Sequence, residues 1–193
     1  MSRKVSATFD STPTASKKLP DVPIHVIDSL SVSMGLGLMV IAAARAAVAG
    51  HDAAQVIRLV EGLIPKTNVI FTVETLDCLY AGGHVGWVTV LFGTTLSIKL
   101  ILCVKDGRVE LLDKLCTRKR AIQRMLDLIT EQVISSDPAH MAVMHCDAPA
   151  DAQRLAEQVA ARFHCVELLA AEAGPIIGTH TGPGTLGVAF YDE

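Results

Sequence analysis

The stretch GTHTGPGTLGVAFY, residues 178–191, joins a glycine-rich loop to an apolar run near the end of the chain. The run LGVAFY predicts a β-strand. In the loop GTHTGPG, glycines permit backbone conformations with positive φ, so that successive N–H groups can form a nest for carboxylate or phosphate oxygens. His180 adds a donor whose charge changes near neutral pH. The loop glycines are Gly178, Gly182 and Gly184.

We expect ligand chemistry at this loop. The alternative is a tight connection between strands in which His180 bonds only to backbone. No GK[ST] sequence follows the glycines, so the loop is not a P-loop, and the chain contains no GxSxG nucleophile sequence.

The first part of the chain, residues 1–74, mixes strand and helix patterns. A weak helical pattern near the start is broken by Pro13. Further on, Ser31 or Ser33 is expected to cap a helix. The expected strands are VPIHVIDS (22–29) and NVIFTV (68–73), and the expected helices cover 34–49 and 53–63. Two buried parallel strands flanked by helices predict a partial, Rossmann-like domain with a parallel sheet.

The second part, residues 75–193, has a different pattern. Lys105-Asp106-Gly107 predicts a tight turn between two antiparallel strands, because Asp-Gly readily adopts positive φ. The other expected elements are helices over 118–133 and 150–163 and strands over 141–145, 165–169, 175–178 and 186–191. This part is predicted to be an α/β domain with a mixed sheet, which makes the fold a two-domain α/β arrangement.

Composition excludes several classes of function. The net charge of −3 gives no broad attraction for nucleic acid. The uncharged stretch 78–98 is interrupted by glycines and is not expected to span a membrane. Five cysteines, none in a CxxC pair, indicate reduced thiols in a cytoplasmic protein without a metal site or a disulfide framework.

The order of several segments along the chain resembles one known family. These segments are SATFDST, PDVPIHVIDS, MGLGLMV, FTVETLDCLYAGGHVG, LSIKLILCVKDGRV, KLCTRKRA and GTHTGPGTLGVAFY. Together they resemble the DegV family of fatty-acid-binding proteins. The chain starts at the family's LSGTYQSA segment, so it is expected to be an N-terminally truncated member.

The resemblance implies a long-chain fatty acid held between two α/β domains and no other cofactor. It also implies that the protein presents the acid to a separate fatty-acid kinase and does no chemistry itself. Ser6 and Thr8 match the Ser and Thr of the family's SGT sequence, and His180 and Thr181 match the start of its HTGPG segment. These four residues are therefore expected at the carboxylate of the fatty acid.

Three positions depart from the family pattern. Ala7 replaces a Gly, and His84 and Cys116 replace two Arg residues, so head-group recognition is expected to be weaker. The alternative function is therefore a truncated, non-binding structural or oligomerising paralogue, in which a homo-oligomer covers the open sheet of the first domain. A hydrolase that uses Ser6 or a cysteine with His180 is a weaker hypothesis, because no nucleophile sequence supports it.

Overall fold

The computed structural model describes residues 2–82, 98–133 and 138–192. The helices in this part are α1 (Thr8–Ser16), α2 (Ser33–Val48), α3 (Ala53–Leu63), α4 (Asp77–Gly82), α5 (Arg118–Gln132), α6 (Pro149–Arg162) and α7 (Pro175–Thr181). The strands are β1 (Asn68–Thr72), β2 (Lys99–Lys105), β3 (Arg108–Leu115), β4 (Ala139–His145), β5 (Cys165–Glu172) and β6 (Leu186–Asp192).

All of these strands form one six-stranded mixed sheet in the order β3-β2-β1-β6-β4-β5. The last strand in the chain, β6, lies inside the sheet and pairs antiparallel with both β1 and β4. Among the described strands, only β4 and β5 pair in parallel, and the crossover helix α6 connects them. The edges are β3 and β5. The predicted α/β fold with a mixed sheet is confirmed, but the parallel sheet expected for residues 1–74 is not formed, because β1 pairs antiparallel on both sides.

Two apolar cores cover the two faces of this sheet. On one face, α5 and α6 bury Met125, Ile129 and Leu155 against the strands. On the other face, α2 buries Leu38 and Met39. Successive residues of a strand point to opposite faces, so β6 contributes alternately to both cores. The sheet is therefore the middle layer of three.

Several predicted elements agree with the structure. The predicted helix over 53–63 is α3, whose start is fixed by a capping box in which Asp52 and Gln55 bond each other's backbone N–H. The predicted hairpin is β2 and β3. Its turn has φ of 49° at Asp106 and 75° at Gly107, the positive values that a two-residue hairpin turn requires.

The strand predicted over 22–29 is wrong. These residues belong to no helix or strand, and from Pro23 to Ser29 they make no backbone–backbone hydrogen bond in the described structure. A strand exists only where a neighbour supplies the ladder of hydrogen bonds, and none of the described strands runs beside this segment. Val22 and Ile24 remain exposed. β1, by contrast, is paired on both sides and has no open edge.

Three local predictions are also corrected. Residues 175–178, expected as a strand, begin helix α7, because Pro175 at the first helical position has the φ that a helix needs. Neither Ser31 nor Ser33 caps α2, whose N-cap is Val32 with no side-chain hydrogen bond. Pro13 lies inside α1, a helix of 9 residues that continues past it.

The predicted boundary between residues 74 and 75 stays a prediction. β1 belongs to the first predicted part, yet it shares its sheet with the strands of the second. Most of the uncharged stretch 78–98 lies outside the described residues. Among the helices that the structure describes, none is both long and apolar enough to cross a bilayer.

A charged cluster fastens the end of α2 to the sheet. Arg45 donates two hydrogen bonds to the carboxylate of Glu167 on β5, at 2.6 and 2.7 Å. His140 on β4 contacts the same carboxylate through Nδ1 at 2.7 Å, and its ring stacks on Tyr191. The hydrogen bonds from Arg45 lower the pKa of Glu167 to about 2, with His140 contributing. The cluster thus joins one helix to three neighbouring strands.

A substitution at Gly187 on β6 can test how closely the side chains around this strand are packed. A Cβ at this position would lie 2.9 Å from both Met144 Cε and Phe71 Cβ. Gly187→Ala is therefore expected to lower the free energy of unfolding by about 1–3 kcal/mol, the usual cost of overpacking.

The control is Gly62→Ala in α3, where a Cβ would meet nothing within 4 Å. Alanine favours a helix, so this variant should gain about 0.5–1 kcal/mol. Urea unfolding followed by circular dichroism measures both variants. Equal stabilities for the two would contradict the packing described for β6.

Candidate ligand-binding site

A cavity of about 620 Å³ lies between the N-terminal segment, the start of α2, the sheet and α7. Its size falls within the roughly 300–1,000 Å³ typical of small-molecule sites. The walls are mostly aliphatic, and their residues include six that each come from a different helix or strand: Leu36, Val69, Leu79, Val104, Val109 and Met144. Phe71 adds an aromatic ring. The cavity can therefore bury an extended apolar ligand.

Polar groups reach the cavity from four segments that are distant in sequence. Ser6 and Ser33 come from the N-terminal third of the chain, and His145 from the end of β4. His180, Thr181 and Thr185 come from α7 and the loop that follows it. A largely apolar cavity with a few polar groups is the usual composition of a ligand site.

The structure brings three of the four predicted head-group residues to one cavity. Ser6, His180 and Thr181 line it, although Ser6 lies far from the others in sequence. Thr8 is exposed and is not part of the lining. Its backbone N–H instead donates to Ser6 Oγ at 3.2 Å, which helps to orient the serine. The contacts of these residues with a ligand stay predictions.

The glycine-rich loop does not form the expected anion nest. Gly178 lies within α7, and Gly182 ends the helix with φ of 79° and ψ of 168°. The N–H of Gly182 donates to Gly178 O, and the N–H of Gly184 donates to Cys146 O, both at 2.8 Å. Because these donors are already used, the loop's function is to turn the chain from α7 into β6.

The two threonine hydroxyls of the cavity also donate to backbone. Thr181 Oγ1 donates to Ile177 O at 3.0 Å. Thr185 Oγ1 lies within hydrogen-bond distance of both Thr181 O and Gly182 O, at 3.0 and 2.9 Å. Cys146 Sγ lies 3.5 Å from Thr181 Oγ1. These contacts hold the end of α7 against the residue that follows β4 and the residue that precedes β6.

Ser33 and His145 are cavity residues that sequence reasoning did not assign to the site. Ser33 was expected only as a helix cap, and His145 only as one residue of a strand. The structure places Ser33 at the first position of α2 with φ of 48°, and His145 at the end of β4. The sequence signal for such site residues is a polar side chain at the end of a helix or strand, and many residues that do not bind a ligand have the same signal.

The three departures from the family pattern have different outcomes. Ala7 lines the cavity with φ of −67°, a conformation that needs no glycine. Cys116 is exposed and lies outside the cavity lining. His84 lies outside the described residues.

Arg118, at the start of α5, is held by acidic side chains. It donates to Glu74 Oε2 at 2.6 Å and to Asp151 Oδ2 at 2.8 and 3.1 Å. Hydrogen bonding to Arg118 lowers the pKa of Asp151. Lys99 also contacts the Glu74 carboxylate. Beside this network, Lys119 and Arg120 are exposed and line a basic cleft.

Among the residues that the structure describes, no group of three or more His, Cys, Asp or Glu side chains is placed to hold a metal ion.

Comparisons with known proteins agree on one family. A family model described as uncharacterised protein, DegV family, matches residues 1–193. A DegV domain-containing protein of Streptomyces coelicolor is 36% identical over 189 residues, which are 97% of this chain and 66% of that protein. One from Clostridium acetobutylicum is also 36% identical, over 92% of this chain and 62% of that protein. The chain thus spans about two thirds of the length of these curated relatives.

Solved structures are similar over the whole chain. A DegV family protein of Thermus thermophilus, described as binding fatty acid, has a TM-score of 0.91 and 31% identity, covering 100% of this chain and 69% of that one. A DegV lipid-binding protein of Thermotoga maritima has a TM-score of 0.90 and 26% identity, covering 100% and 67%.

Gly182 and Gly178 provide a matched test of the turn beside the cavity. Gly182 has a φ and ψ that essentially only glycine adopts, and a Cβ there would lie 3.0 Å from Cys78 Sγ. Gly182→Ala should therefore cost about 1–3 kcal/mol of stability. Gly178→Ala should be neutral or slightly stabilising, because a Cβ there meets nothing within 4 Å. Thermal unfolding measures both, and a harmless Gly182→Ala would refute this account of the turn.

Proposed function

The chain belongs to the DegV family, and on that premise we propose that it is a lipid-binding protein that holds a long-chain fatty acid in the cavity beneath α7. The single observation that carries the proposal is the cavity itself, whose aliphatic walls are combined with hydroxyl and imidazole groups. The fatty-acid-binding descriptions of solved relatives from Thermus thermophilus and Bacillus subtilis, at 31% and 27% identity, support it.

The walls account for the affinity of an acyl chain. Transfer of each CH₂ group from water to an apolar environment contributes about 0.8 kcal/mol. Leu36, Val69 and Met144 belong to three different elements, so the cavity surrounds a ligand rather than offering it one flat face. The carboxylate requires hydrogen-bond donors once it leaves water, and we assign Ser6 and His180 to that end.

We further propose that the protein presents the bound acid to a separate fatty-acid kinase in the cytoplasm and does no chemistry itself. The exposed rim of the cavity favours presentation. Pro175 and Ile176 line the cavity at the start of α7, and Ile176 is 69% exposed. A second protein can therefore contact this side of the site.

The five cysteines are free thiols, which agrees with a reducing compartment.

Lipid binding is tested by reducing the cavity. Val109→Phe adds bulk to a lining residue of β3 and so removes space that the acyl chain would occupy. Binding of palmitate or oleate should weaken by about tenfold or more, which corresponds to a loss of roughly 1.4 kcal/mol of apolar contact between ligand and protein. Val48→Phe is the control, because Val48 is 90% exposed and lies outside the lining.

Native mass spectrometry of gently purified protein and calorimetric titration with each acid provide the measurements. Wild type and Val48→Phe should carry an acyl mass. A wild-type protein that carries none and takes up neither acid would overturn the proposal and favour the non-binding alternative.

Presentation is tested at His180. We expect His180→Ala to fold normally and to reduce acyl-phosphate formation by a cognate kinase, since the variant loses a donor of the cavity. His164→Ala, at an exposed histidine outside the cavity, serves as the control. Kinase turnover with each protein loaded with the same acid measures the effect, and unchanged turnover would count against this role for His180.

A further inference from the structure

We infer that Ser33 and His145 donate hydrogen bonds to the carboxylate of the bound acid and complete the head-group site with Ser6 and His180; this inference rests on the proposed function. A carboxylate is only an acceptor, so the groups around it must have a proton to donate. A polar group of the cavity can therefore bind the carboxylate only if it still has a proton to donate.

The threonine hydroxyls of the cavity have no proton left to donate. The proton of Thr181 Oγ1 is directed at Ile177 O, and that of Thr185 Oγ1 at the carbonyls of Thr181 and Gly182. A hydroxyl has one proton, so both groups can offer a ligand only their lone pairs. Thr181 matches the family pattern, but its hydroxyl cannot donate to a carboxylate without leaving the backbone.

His145 has a defined donor. Its Nδ1 accepts a hydrogen bond from the backbone N–H of Ala148 at 3.3 Å. A backbone N–H can only donate, so Nδ1 has no proton, and the neutral ring carries its proton on Nε2. Within the described residues, His145 makes no hydrogen bond through Nε2. The half-buried ring lines the cavity, so this N–H is available to a ligand there.

Ser33 has an unused hydroxyl at a strained position. Its φ of 48° is uncommon for a residue other than glycine, and such strain concentrates at ligand sites. Its Oγ makes no hydrogen bond in the described part of the chain, although the side chain is half-buried in the cavity lining.

The start of α2 adds to this arrangement. Its N-cap, Val32, lines the cavity and provides no side-chain hydrogen bond to the first turn. The N-terminal end of this 16-residue helix favours a negative charge. A carboxylate held by Ser33 would therefore lie where a capping side chain is missing.

The test compares a charged ligand with a neutral one of equal chain length. Calorimetric titration with palmitate and with methyl palmitate is carried out on wild type, Ser33→Ala and His145→Leu. Loss of a hydrogen bond to a charged group should weaken palmitate binding about tenfold in each variant and leave the ester within about twofold. His145→Gln, whose amide can donate in place of Nε2, should recover most of the palmitate affinity.

The controls are Ser11→Ala and His164→Leu, two exposed positions outside the cavity lining. They should bind both ligands as wild type does. Circular dichroism checks the folding of each variant. If His145→Leu does not fold, the Ser33→Ala result alone decides the test.

Two outcomes overturn the inference. If wild type binds palmitate and both Ser33→Ala and His145→Leu bind it equally well, the proposed function stands and these residues are not head-group contacts. If wild type binds neither ligand, the proposed function fails, and this inference fails with it.

Discussion

The pairing of β6 with both β1 and β4 is the constraint on which the rest of the structure depends. These antiparallel ladders join the hairpin side of the sheet to the parallel β4–β5 pair. The absence of a side chain at Gly187 lets Met144 and Phe71, both cavity residues, approach the strand. Since α7 and its turn lead directly into β6, the same strand fixes where His180 lies. The packing of the core and the geometry of the site therefore depend on the same strand.

Sequence reasoning succeeded where the determinants were local. The Asp106-Gly107 turn and helix α3 follow from positive φ, capping and periodicity, each within a few residues. It failed at residues 22–29, because a β-branched run becomes a strand only beside a partner, and pairing is a property of the whole sheet. The strand prediction for residues 175–178 failed for another reason, since an apolar run after a proline is compatible with either a strand or a helix.

The site was predictable only in outline. The family resemblance identified Ser6 and His180, and folding brings both to one cavity. The resemblance could not show which hydrogen-bonding groups are already paired within the protein. The hydroxyl of Thr181 and the N–H groups of the loop donate to backbone carbonyls, and these contacts are visible only in the three-dimensional structure. Ser33 and His145 were missed for the same reason, as their unused donors are visible only after the other partners are known.

The two edges of the sheet differ in chemistry. Along β3, the exposed residues are Arg108, Glu110, Leu112 and Lys114, of which three are charged, and charges on an edge strand oppose pairing with a strand of another molecule. β5 exposes Val166 and Ala170, with Glu172 as its exposed charge. Within the described sheet, the charges of β3 therefore oppose aggregation through strand pairing, and β5 is the edge more open to it.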